Sequence, residues 1–221
     1  MRHTGQVQIH LPQASQLFTP AVTTLIVLSI AGSLAYHFAT DFCIQWLILV
    51  PGRALRGYVW QFLTYPFCFH DPIWLLMDLA VILVVGSAVE REWGTKTFLL
   101  FWTVTSLVCG AFWALVTLLL HIPVPMLGSA ACGYGLIFLF GELYHGRQFM
   151  LMMNVVDARV VSWLMLGIGA LISAFAPTNL LYFFGVAVAW AFIKIREKLI
   201  YGEARSFNDG SYDDQGFVDI E

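Results

Sequence analysis

Long apolar runs separated by short polar joints dominate the chain. A membrane-crossing helix needs about 20 mostly apolar residues. Runs of that kind fall at Phe18–Phe38, Pro72–Val89, Thr97–Leu120, Met126–Leu143, Val160–Ala176 and Asn179–Ile195. The last two meet at Ala176-Pro177-Thr178. Taken as one run they would be too long for a single span, and Pro177 disfavours helix in the residue before it. The pattern therefore predicts six helices, with a lead at 1–17, a membrane domain at 18–195 and a tail at 196–221. No repeat at a solenoid period interrupts it.

Composition sharpens this picture. Residues of the AVILMFWYC set make up 59% of the 221, and Asp, Glu, Lys and Arg only 11%; mean hydropathy is +0.77. A soluble domain carries about 25% charged residues, so this surface is built for lipid: an all-α integral membrane protein. A net charge of −3 without a basic run excludes a nucleic-acid binder. No cofactor or metal is expected.

Charge sets the orientation. With the N-terminus inside, Arg53 and Arg56 are the basic residues left on the outer side, and the other nine Lys and Arg fall on the inner side or within the lead and tail. The positive-inside rule then places both termini in the cytoplasm. The lead is too long and polar for a signal peptide and reads as uncleaved. The expected setting is a bacterial inner membrane. The tail segment Ser206–Glu221 holds five acids and no Lys or Arg; it repels anionic lipid, so it waves free or docks on a partner. Cys109 and Cys132 read as small packing residues, while Cys43 and Cys68 share the outer side, where a bridge is one alternative.

The loop Ala39–Asp71 is not an ordinary connector. Trp46-Leu-Ile-Leu-Val-Pro51 and Tyr58-Val-Trp60-Gln-Phe-Leu-Thr-Tyr-Pro-Phe67 are apolar and aromatic but too short to cross. Trp and Tyr favour the headgroup boundary. The loop therefore lies sideways in the outer interface, or covers the bundle as an amphipathic lid.

From this loop onwards the chain resembles the rhomboid intramembrane proteases. The resemblance rests on Trp60 and the Leu-Thr-Tyr-Pro-Phe run, His70 before the second span, then Gly86, Glu90 and the Trp93-Gly94 turn. It runs from about residue 50 to residue 195 and implies a six-helix rhomboid-like bundle with an interfacial first loop. It also implies a serine in a Gly-x-Ser-Gly motif opening the fourth span, with a histidine on the sixth. A serine hydroxyl is a poor nucleophile without a base to take its proton.

Here the fourth span opens Leu127-Gly128-Ser129-Ala130-Ala131-Cys132-Gly133. Laid on the family pattern, the nucleophile position is Ala130. Ser129 lies one residue away, a rotation of about 100° on a helix. The sixth span contains no histidine; the base position falls on Thr178 or Tyr182, depending on which family glycine is aligned with Gly185, or on Leu180 when the Ala-Trp-Ala-Phe end is aligned. The second-span histidine reads Trp74 and the asparagine reads Asp78, and the loop's Trp-Arg pair reads Trp60-Gln61. Glu90, Arg91, Glu92, Glu142 and Asp157 read as solvated or headgroup-level charges.

The resemblance thus implies a pseudoprotease: a membrane scaffold, escort or accessory subunit that binds transmembrane helices of another membrane protein. The alternative is a divergent serine protease using Ser129. A small-solute transporter is disfavoured, since no inverted repeat is visible. His70, Asp78 and Ser129 form a possible residual polar site. Trp74, Asp78 and Trp163 are expected to contact a partner near the gap between the second and fifth spans. Gly128, Gly135 and Gly185 are expected to pack helices, because close backbone approach holds helices together in lipid.

Overall fold

A computed structural model of the chain describes residues 17–54, 56–121, 124–146, 148–151, 154–173 and 177–210. Most of the lead and the end of the tail, with Arg2, Asp213, Asp214, Asp219 and Glu221, lie outside the described residues, as does Arg147. Among the described residues the fold is helical apart from one short hairpin. Helices are α1 (Pro20–Phe38), α2 (Thr40–Trp46), α3 (Pro51–Ala54), α4 (Gln61–Thr64), α5 (Pro72–Trp93), α6 (Thr95–Leu119), α7 (Ala130–Leu143), α8 (Ala158–Ser173) and α9 (Phe184–Gly210). Strands β1 (Gln148–Leu151) and β2 (Asn154–Asp157) pair antiparallel between α7 and α8.

Among the described residues four helical segments are long and apolar enough to cross a membrane: α1, α5, α6 and Asn179–Leu199, which joins the 3-10 turn Pro177–Phe183 to α9. Two are shorter, α7 with 14 residues and α8 with 16. The fourth apolar run begins at Met126 but its helix only at Ala130, because Met126 pairs backbone to backbone with Leu49. Gly128 then takes φ +81°, a left-handed conformation that favours glycine. At the other end, α9 does not stop at Ile195 and runs on to Gly210, so the first part of the expected tail is helix.

Local chemistry explains the boundaries. Asp71 precedes Pro72 and accepts the Ile73 amide at 2.8 Å, an N-cap followed by proline at the first helical position. Gly94, at φ +79°, makes the hinge between α5 and α6. Within α5, Ile82–Gly86 widens to a π-helical turn.

Helix α7 is the axis of the bundle. Cys132, Leu136 and Leu139 are wholly buried, and α5, α6, α8 and α9 all pack against it. A helix apolar all round belongs inside a bundle. It crosses α9 backbone to backbone: a Cβ on Gly185 would sit 1.9 Å from the Ala131 carbonyl oxygen, and one on Gly135 would sit 2.9 Å from that of Gly185. At the C-terminal end of α5, Trp93 stacks on Phe192 and lies under the Arg196 guanidinium, 4.7 Å from the ring centroid.

The first loop is two-faced. Leu49, Gln61 and Tyr65 are buried against the bundle, and the Tyr65 hydroxyl donates to the Ser106 carbonyl on α6 at 3.1 Å. Gln61 spans the loop, its amide donating to the Gln45 carbonyl and its oxygen accepting the Val50 amide. On the other face Trp46, Tyr58 and Trp60 cluster with ring centroids 5.0–6.0 Å apart, and Val59, Trp60 and Leu63 are exposed. Both readings of the loop thus describe one of its faces. Cys43 and Cys68 are buried and unbridged; burial, then the neighbouring Cys43 thiol, pushes the Cys68 thiol up to about 12.

Candidate functional site

A cavity of about 350 Å³ opens between α5, the start of α7 and the end of α8. Helix α5 supplies Trp74, Met77 and Asp78, each one turn or less from the next. The left-handed turn at Gly128 brings Ala130 and Gly133 to the opposite wall, while Ser173 and the 3-10 turn with Asn179 and Tyr182 close the third side. His70 lies at the exposed end of this lining.

Asp78 is the polar centre. It is 9% exposed, and its Oδ1 accepts the hydroxyl hydrogen of Ser129. Its Oδ2 is buried and accepts no hydrogen bond from the described residues. Ser129, fully buried at 0% exposure, is the residue before α7 but caps no amide of that helix. Its hydroxyl is turned to α5, and Ser129 is absent from the cavity lining while Ala130 belongs to it. Ala130, which the resemblance aligns with a nucleophile, carries no hydroxyl and lines the cavity.

Of the three residues that alternative alignments place at the base position, Tyr182 lines the cavity and stacks on Trp113 at 5.1 Å. Leu180 is exposed, and the side chain of Thr178 lies outside the described residues. Neither a phenol nor an alkyl chain takes a proton from serine near neutral pH.

The predicted residues separate into groups. His70, Trp74, Asp78 and Ala130 come together around the cavity. Trp163 does not: it lies edge-on to Phe138 in an apolar groove along α8 and α9, with Trp190. It lies ten residues from Ser173 on α8 and lines this groove, not the cavity at α5. Gly135 and Gly185 form the crossing of α7 and α9, whereas Gly128 packs under the Phe69 ring rather than against a helix.

Glu90 corrects the reading of the boundary charges. It is 3% exposed and accepts from the Ala21 amide (3.0 Å), the Val22 amide (3.0 Å), the Thr95 hydroxyl (2.7 Å) and the Thr19 hydroxyl. This carboxylate caps the start of α1 from 68 residues or more away in sequence. It satisfies amides that a helix N-terminus leaves open and meets the positive end of its dipole. Glu142 and Arg159 pair at 2.8 Å. Asp157 accepts the Arg159 and Gly146 amides, and these bonds hold its carboxyl below the ordinary range.

Sequence reasoning missed Gly133, Ser173 and Asn179 as cavity residues and Glu90 as an anchor. A small residue one turn into α7 was a usable signal for Gly133. Nothing in local pattern marks the others.

Among the described residues no group of three or more His, Cys, Asp or Glu side chains is placed to hold a metal ion. A family model described as eukaryotic integral membrane protein (DUF1751) matches residues 20–207. No curated protein matches the chain. The family is eukaryotic, which overturns the expectation of a bacterial inner membrane; the multi-pass membrane setting stands.

Proposed function

The chain belongs to this eukaryotic integral membrane protein family, and from that premise we propose that it is a rhomboid-like pseudoprotease: a six-span membrane scaffold, escort or accessory subunit that binds transmembrane helices of a partner. The shorter helices α7 and α8 serve as the fourth and fifth spans, with α7 enclosed by its neighbours. The observation that carries the reading is the commitment of Ser129 to Asp78 with Ala130 facing the cavity. A nucleophile must reach both its base and the substrate carbonyl, and here the nearest hydroxyl is buried on the wrong side.

The gap between α5 and α8 supplies the docking face. Trp74 is half exposed there, and Met77 and Ile172 flank it. Aromatic side chains offer a large contact area, and small-residue helix surfaces allow close approach in lipid.

Gentle solubilisation of the full chain followed by identification of what co-purifies tests this. A stoichiometric membrane partner is expected. A monomer recovered without one overturns the scaffold reading.

A further inference from the structure

We propose that the cavity beside Asp78 is a lipid site that takes one single-chain amphiphile with a small neutral head able both to donate and to accept hydrogen bonds, of the monoacylglycerol class. The proposal goes beyond helix binding and stands on the cavity alone.

Size selects the occupant. Small-molecule sites measure about 300–1,000 Å³, and this one measures about 350 Å³. A helix is about 10–12 Å across with its side chains, so a partner helix lies against the mouth and does not enter. An acyl chain does. The walls suit it: Phe69, Met77, Val81, Leu127, Ile137 and Ile172 are apolar. Met77 on α5 and Ile172 on α8 are also exposed on the lipid side, which gives a chain lateral access from the bilayer.

Chemistry selects the head. Asp78 lines the cavity, is nine-tenths buried and has one oxygen without a hydrogen bond. A buried unpaired acceptor costs free energy that a donor recovers. The same cavity reaches the start of α7, where Ala130 is the first helical residue and no side chain caps the open amides. Those amides want an oxygen. A hydroxyl or glycerol head meets both demands. A carboxylate or phosphate head would face Asp78, and no Lys or Arg lines the cavity to offset it.

Native mass spectrometry of the full-length protein, titrated with oleoylglycerol or with methyl oleate, tests the proposal. Oleoylglycerol is expected to add once per chain and saturably. Methyl oleate, which accepts but does not donate, is expected to bind about tenfold more weakly, as loss of one hydrogen bond implies. Asp78→Leu is expected to remove that difference. Gly133→Phe and, from the same wall one turn away, Ala130→Phe are each expected to abolish the adduct. Gly167→Phe, in the groove between α8 and α9, is expected to leave it intact and so controls for folding. Absence of a saturable one-to-one adduct overturns the proposal. So does equal binding of the two lipids, or an adduct that survives both cavity-filling variants. Crosslinking of a polypeptide from position 130 without any lipid adduct would assign the cavity to a partner side chain instead. Recovery of a stoichiometric partner is read separately, so the helix-binding reading and the lipid site fail independently.

Discussion

The hydroxyl of Ser129 donates to the carboxyl of Asp78, joining the start of α7 to the middle of α5 across 51 residues of sequence. Both groups are buried. Removing one partner strands the other, at about 1–3 kcal/mol, while replacing both with apolar groups is close to neutral. Ser129→Ala is therefore expected to lower the melting temperature in detergent. The double variant Ser129→Ala/Asp78→Leu is expected to recover much of the loss. A double variant as unstable as the two single losses added together would show that the pair is not coupled.

A fluorophosphonate probe is expected to leave the protein unlabelled. Ala130 carries no hydroxyl, and Ser129 is turned from the cavity. Labelling that disappears in Ser129→Ala would restore the protease reading.

The crossing of α7 and α9 has no room for a side chain at Gly185, where a Cβ would meet a backbone oxygen at 1.9 Å. Gly185→Leu is expected to cost at least the 1–3 kcal/mol roughly typical of overpacking. Gly167, with nothing within 4 Å of its would-be Cβ, provides the contrast. Gly167→Ala is expected to be neutral or to stabilise by about 0.5–1 kcal/mol through helix propensity. Melting temperatures of the two variants, measured in one detergent, check the pair.

Glu90→Ala leaves the Ala21 and Val22 amides and two threonine hydroxyls without their acceptor. Loss of a helix cap costs about 0.5–2 kcal/mol. The expected sign is local: faster proteolysis and hydrogen exchange at residues 17–22, with the α7–α9 crossing unchanged. Uniform loss of protection would place Glu90 in the global core instead.

Partner crosslinks are expected from a photoreactive residue at Trp74 and not at Trp163. Trp74 lines the gap at α5, and Trp163 occupies the groove between α8 and α9. Crosslinks from Trp163 alone would move the docking face to that groove.

Beside the β1–β2 hairpin, amides of Arg159 and Gly146 hold the Asp157 carboxyl low. A depressed folded value stabilises the turn above the unfolded carboxylate range and is lost as pH falls through the folded value. Hydrogen-exchange protection of the Gly146 and Arg159 amides is expected to drop on acidification. Asp157→Asn is expected to flatten that dependence.

The sequence by itself determined the membrane class, the apolar segments and the absence of a hydroxyl at Ala130. Hydropathy is a local sum, so a run of about 20 apolar residues announces itself, and a missing hydroxyl needs no coordinates. Local periodicity could not say that the fourth helix starts at Ala130, because the Leu49–Met126 pairing that delays it joins segments 77 positions apart. Nor could it turn Trp163 away from the gap, since every exposed face of a lipid-bathed helix is apolar and the hydrophobic pattern loses its phase. Glu90 shows the same limit for charge. At the edge of a span a carboxylate looks solvated, and only the tertiary structure brings the start of α1 onto it. The Asp78–Ser129 bond, the unpaired oxygen beside it and the cavity they border were likewise decided by packing, because each needs two or more helices to exist.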